Sequence, residues 1–136
     1  MSMHTQTFQV QTRERDQMIE VTDQVSQAVR EAQIAEGSVV VYVPHTTAGV
    51  TINENADPDV VHDMLHQLDQ MVPWSQPFYR HAEGNSASHV KASMMGSSVT
   101  ILIQAGQLVL GTWQGVWFCE FDGPRTRNVH MAVTGE

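Results

Sequence analysis

Apolar residues along this chain switch between a spacing of two and a spacing of three to four, and the switches mark its elements. Residues 4–12 alternate, with Phe8 and Val10 on the apolar side, and predict a strand; a second short strand follows over 18–21. Thr22 is the expected N-cap of a helix over 23–36, whose apolar stripe is Val25, Ala28, Val29 and Ala32 and whose stop is Gly37. The β-branched run SVVVYV at 38–43 predicts a central strand ended by Pro44. Asp57-Pro58 opens a second helix, with Asp57 as cap, Pro58 at the first helical position and Val61, Met64, Leu65 and Leu68 on its buried side.

Pro73 and Pro77 bracket a loop carrying Trp74 and Phe78. A third, short helix is expected over 88–95, stopping at Gly96, followed by a hairpin of VTILIQ (99–104) and LVLG (108–111). GVWFCEF (115–121) and NVHMAV (128–133) complete four late strands. Strands come in runs with helices inserted between them, not in strict strand–helix alternation. The pattern predicts an α+β fold: one compact domain over residues 1–136, mainly antiparallel sheet or sandwich, with two or three helices.

Charge narrows the function. Fifteen acidic residues against seven Lys and Arg leave a net charge of −8. Nucleic acid and anionic membrane need a basic face, so both are excluded as general partners. A small anionic metabolite is not, because a few local cations outweigh the global field. The one cysteine, Cys119, has no intrachain partner and lies in an apolar run, which predicts a buried thiol in a reducing compartment. The N-terminal residues lack a basic stretch followed by a long apolar one, and no run approaches membrane-spanning length. A soluble, cytoplasmic protein is expected.

The chemistry concentrates in two stretches. HTTAGVTINENADPDVVHDM at 45–64 is crowded with imidazoles, hydroxyls, amides and carboxylates, and HAEGNSASHVK at 81–91 repeats that vocabulary. His45 follows a buried strand directly, where sites are commonly assembled, and Thr46 and Thr47 add hydroxyls beside Gly49, which permits close backbone approach. His89 stands at the start of the third helix, and Lys91, the only lysine, is expected to meet an anion there. Each histidine alone fits a core residue satisfied by one hydrogen bond. Together with Glu54, Asp57, His81 and Glu83 they predict a site.

Imidazoles with carboxylates suit a divalent ion, Zn²⁺, Mn²⁺ or Mg²⁺, and the expected ligands are His45 and His89, with His81 or an acidic residue completing the set. Asn53, Asn55 and Asn85 serve either as orienting partners or as turn residues. His62 and His66 share a helix face, but no glutamate follows His62, so the helical zinc-protease motif is not met. Gln114 is a ligand contact or a turn residue. Arg125, in the turn DGPRTR at 122–127, is either solvated or an anion clamp.

The long segments HTTAGVTINENADPDVVHDM, HAEGNSASHVKASMMG and GTWQGVWFCEFDGPR, with the closing TGE, resemble the YjbQ-type family, whose members are commonly described as secondary thiamine-phosphate synthases. The resemblance covers essentially the whole chain. His45, Thr46, Thr51, Asn53, Glu54, Asn55, Asp57, Glu83, Gly84, His89, Lys91, Gly96, Trp113 and Gln114 fall on its pattern. It implies a homotrimer with sites near subunit boundaries, to which the large aromatics Trp74, Trp113 and Trp117 are suited. It also implies a transferase that joins a pyrimidine-methyl pyrophosphate to a thiazole phosphate, with Lys91 and Arg125 supplying charge and His45 and His89 the metal. Two other classes compete with it: a metal-dependent hydrolase of a small phosphorylated or acyl metabolite with Glu54 or Glu83 as base, and a non-catalytic metal or small-ligand binding module.

Overall fold

The structure, a computed structural model, describes residues 1–136. Eight strands and three helices follow in the order β1 (Ser2–Gln11), β2 (Gln17–Glu20), α1 (Thr22–Ala32), β3 (Gly37–Tyr42), β4 (Ala48–Glu54), α2 (Pro58–Met71), α3 (Ser86–Met95), β5 (Ser98–Gln104), β6 (Gln107–Leu108), β7 (Gln114–Glu120) and β8 (Thr126–Gly135). Every strand pair is antiparallel. They form a five-stranded sheet, β1-β8-β3-β5-β6, and a three-stranded sheet, β2-β7-β4. The α+β expectation holds.

Alternation builds the core. Val39 and Val41 of β3, Ile101 and Ile103 of β5, and Val129, Met131 and Val133 of β8 face inward, where they meet Val50 of β4 and Val116 and Phe118 of β7. The Val25, Ala28, Val29 and Ala32 stripe of α1 closes the same cluster. A smaller cluster of Met18, Leu68, Ala92, Cys119 and Phe121 seats α2 and α3 against the three-stranded sheet. Cys119 is fully buried, and that burial pushes its thiol up to about 12, so it is inert as a nucleophile at neutral pH.

Several boundaries differ from expectation. Helix α1 ends at Ala32 because Gln33 turns left-handed and its N–H closes on the Arg30 carbonyl. Gly37 therefore begins β3 and does not end the helix. Val21, not Thr22, is the N-cap, and the Thr22 hydroxyl instead donates to Glu20 and accepts the Val116 N–H. The β5–β6 turn places Ala105 and Gly106 at positive φ, as a two-residue hairpin loop requires, and β6 is only Gln107–Leu108.

The largest departure is β4. The sequence pattern predicts no element between β3 and α2, yet Ala48–Glu54, inside the polar stretch, is a strand paired along its whole length with β7.

Candidate functional site

The strand β4 divides the expected site in two. Ala48, at its start, pairs with Glu120, while Glu54, at its end, pairs with Gln114. A strand advances about 3.3 Å per residue, so these ends lie on the order of 20 Å apart. His45, Thr46 and Thr47 stand at the first end; Asn53, Glu54, Asn55, Asp57 and Gln114 stand at the other.

At the far end the side chains are taken up by neighbouring structural groups. Asn53 Nδ2 donates to Met64 Sδ, and Asn55 Nδ2 donates to Glu20 Oε2 at 2.9 Å. Glu54 accepts the Asp57 N–H, and Asp57 accepts the Asp59 N–H at 2.9 Å as the N-cap of α2. Gln114 Oε1 accepts the Gly111 N–H at 2.8 Å, the work of a turn residue. Within one chain Glu54 and Asp57 do not reach the histidines, which corrects their placement in a single cluster.

The near end contains an open cleft of about 420 Å³, lined by His45, Thr46, Ala48, His89, Ala92, Ser93, Gly96 and Ser97. Positions 89, 92, 93 and 96 follow one face of α3 and its end, so the helix forms one wall. Gly49 matters here for a reason other than ligand approach. A Cβ at Gly49 would lie 2.6 Å from the Gly96 carbonyl oxygen, so its absence lets β4 press against the end of α3.

His81, in the turn before α3, stands against His89 with ring centroids 5.3 Å apart and planes at 80°. Neither ring is engaged in the way that His45, His62, His66 and His130 are, each of which has a hydrogen-bond partner. Two imidazoles at this separation fit two positions of one tetrahedral or octahedral ion. No group of three or more His, Cys, Asp or Glu side chains is arranged to hold a metal in one chain. Glu83, exposed in the same turn as His81, is the nearest carboxylate along the chain.

His45 is not free as expected. Its Nε2 accepts the Asn128 backbone N–H at 2.9 Å. Burial and then the Arg127 charge hold its pKa below the ordinary histidine range, so it is neutral at pH 7. Beneath it lies a buried ion pair that the sequence did not announce. Arg127 Nε donates to Glu120 Oε1 at 2.8 Å, and its terminal nitrogen donates to Thr47 Oγ1 at 2.8 Å. Thr47 is therefore a buried support, not a substrate contact. Burial alone would raise the Glu120 carboxyl; hydrogen bonds from Arg127, the Asp122 N–H and Thr12 outweigh it and hold the pKa below the usual range.

Lys91 requires the clearest correction. Two residues on from His89, it faces the opposite side of α3 and is 1% exposed. Its ammonium donates to Asp16 Oδ2 at 2.7 Å and Asp69 Oδ1 at 3.1 Å, tying α3 to the β1–β2 connection and to α2. With both carboxylates on it, no anion reaches it. Arg125 likewise turns onto its own Asp122, through the carbonyl at 2.9 Å and the carboxylate at 3.2 Å. Asn85, buried at the N-cap of α3, donates to the same Asp122 at 2.8 Å. Arg80, next to His81, is exposed and makes no ion pair; sequence inspection passed over it.

Comparison with known proteins covers nearly the whole chain. Residues 6–136 match the family described as "UPF0047 protein YjbQ-like". The UPF0047 protein YugU of Bacillus subtilis is 50% identical over 129 residues, spanning 95% of this chain and 98% of the relative. A UPF0047 protein of Methanocaldococcus jannaschii is 46% identical, spanning 95% and 93%. Among solved structures, a YjbQ/UPF0047 protein from Clostridium acetobutylicum superposes with a TM-score of 0.92 at 52% identity, covering 94% of this chain and 98% of that one. A YbjQ-like protein of unknown function from Sulfolobus solfataricus gives 0.95 at 28% identity, covering 99% of each.

Proposed function

This chain belongs to the YjbQ-like UPF0047 family, and from that premise we propose that it is a metal-assisted transferase with thiamine-phosphate synthase-type activity. The observation that carries the metal-centred reading is the unengaged His81–His89 pair at the edge of an open polar cleft. In the reaction, the thiazole ring nitrogen attacks the methylene carbon of the pyrimidine-methyl pyrophosphate. The bond from that carbon to the pyrophosphate oxygen breaks, and pyrophosphate leaves with the electron pair.

His81 and His89 would hold a divalent ion, Zn²⁺, Mn²⁺ or Mg²⁺, which when bound supplies charge stabilisation to a phosphate leaving group. The chain's own residues do the remaining work. Thr46, Ser93 and Ser97 offer hydroxyls to phosphoryl oxygens along the cleft. Arg80 takes the charge-supplying role expected of Lys91 and Arg125, whose cations are already paired. Glu83, an exposed carboxylate two residues along the chain from His81, supports the second reading, a metal-dependent hydrolase with Glu83 as base.

We further infer a homotrimer. The site is split within one chain, and a neighbouring copy that brings its Glu54, Asn55 and Gln114 end to the His81–His89 end would reunite it. The outer face of the five-stranded sheet supports association, since Val40, Tyr42 and Leu102 stand exposed there. Trp113 is also 62% exposed.

The test is an assay with both substrates, with each substrate alone, and with Zn²⁺, Mn²⁺, Mg²⁺ or chelator. Thiamine phosphate formed only with both substrates and a metal is the expected result. Phosphate release from one substrate alone selects the hydrolase, and no turnover of any substrate selects a binding module.

A further inference from the structure

The hydrogen bond beneath His45 determines what that residue can do in the cleft. A backbone N–H only donates, so the His45 nitrogen that receives it must present a lone pair. The bond runs from Asn128 N to His45 Nε2 at 2.9 Å. A neutral imidazole with an unprotonated Nε2 carries its proton on Nδ1, the nitrogen without a protein partner. Metal ligation at Nδ1 would need the opposite tautomer, with two N–H groups pointed at each other across the Asn128 contact.

From this geometry we infer that His45 is a neutral hydrogen-bond donor through Nδ1–H, positioned to hold a phosphoryl oxygen in the cleft beside His89, and is not a metal ligand. The inference rests on the proposed site but assigns this residue a different role within it. The donor is positioned from below. Arg127, the residue before Asn128, is fixed by Glu120 and by the Thr47 hydroxyl, and Thr47 lies two residues from His45. The buried pair therefore grips both chain segments that form the contact. Protonation of Nε2 would set a second N–H against that of Asn128. The charged groups that act on the ring, Arg127, Glu120 and Arg125, leave its pKa lowered once burial is included. The other cleft-lining polar groups on Thr46, Ser93 and Ser97 are neutral hydroxyls, consistent with a site that receives oxygens through neutral donors while the ion sits at the histidine pair.

The test is long-range proton–nitrogen correlation NMR on histidine-labelled full-length protein, with His45 assigned from the signal lost in His45→Asn. Inorganic phosphate and Zn²⁺ are the probes, added separately. The expected spectrum shows His45 as the Nδ1–H tautomer at neutral pH, with Nδ1 shifting on phosphate addition and its proton retained on Zn²⁺ addition. Phosphate affinity should fall roughly threefold to tenfold in His45→Ala, the loss of one neutral hydrogen bond. It should recover in part in His45→Asn, whose side-chain amide sits near the Nδ1 position. An Nε2–H tautomer, loss of the His45 proton to Zn²⁺, or the absence of any phosphate-dependent shift would each overturn the inference. None of these readouts uses the synthase reaction, so the donor role stands or falls separately from the transferase reading.

Discussion

Lys91 shows how a residue's chemistry depends on the helix face it occupies. Read as a sequence, a lone lysine two positions after a histidine joins the polar cluster. In the fold, two positions on a helix are about 200° of rotation, and Lys91 is buried against Asp16 and Asp69. The Asp69 pKa is lowered, first by its hydrogen bond from Lys91. Lys91→Met should therefore lower stability by on the order of 1–3 kcal/mol, the usual loss when a charged hydrogen bond is broken, seen as a melting temperature several degrees down. Phosphate and Zn²⁺ binding should be unchanged at temperatures where the variant is folded. A variant that melts like the parent but loses phosphate would return Lys91 to the site.

Glu120 makes the corresponding case for pH. Its folded pKa lies below its unfolded value, so the folded state binds fewer protons in that range. The stabilisation is complete above the ordinary carboxylate pKa of about 4.3 and is lost as pH falls through the depressed folded value. His45 is lowered as well, and its share is lost earlier, as pH falls below about 6.5. Denaturant midpoints measured from pH 7 downward should fall in these two windows. Glu120→Gln should shrink the lower window, leaving the share of the likewise depressed Asp69, and cost about 3–5 kcal/mol at pH 7, because Arg127 is left buried without its countercharge. A flat profile in the parent protein would contradict the buried pair.

At the scale of elements, the sequence made most of the fold legible. Periodicity located all three helices, and β-branched runs located β3, β5, β7 and β8. The strand β4 is masked in the sequence by its polar residues, although Ala48, Val50 and Ile52 alternate as a strand should. That masking folds one long site out of two ends. Within one chain the far end has structural work of its own: Asp57 caps α2, and Gln114 closes a turn. The contact between β4 and α3 is the element-level feature most open to mutation. Gly49→Val places atoms where the Gly96 carbonyl stands, and overpacking of this kind costs typically about 1–3 kcal/mol. The variant should melt earlier and lose the cleft-dependent phosphate binding together with stability. Unchanged melting would show that β4 and α3 are not in contact there.

Over the whole molecule, the family was legible from long motifs, whereas the candidate site was legible only as a list of residue types. Tautomer, ion pairing and facing direction depend on partners far away in sequence, such as Asn128 for His45 and Asp16 for Lys91. The split of the site along β4 gives the proposed assembly its purpose. Light scattering at low micromolar concentration should return a mass of three chains; a monomer mass would leave the two halves of the site apart.

Calorimetry of Zn²⁺ binding tests the central claim, a metal held by the His81–His89 pair. The parent protein should bind the ion, and His81→Ala and His89→Ala should each weaken binding by roughly tenfold or more, since loss of even a ligand's supporting partner commonly costs that much. His45→Asn should bind Zn²⁺ as the parent does. A parent that binds no Zn²⁺, or one whose binding depends on His45 and not on His81 and His89, would contradict the account.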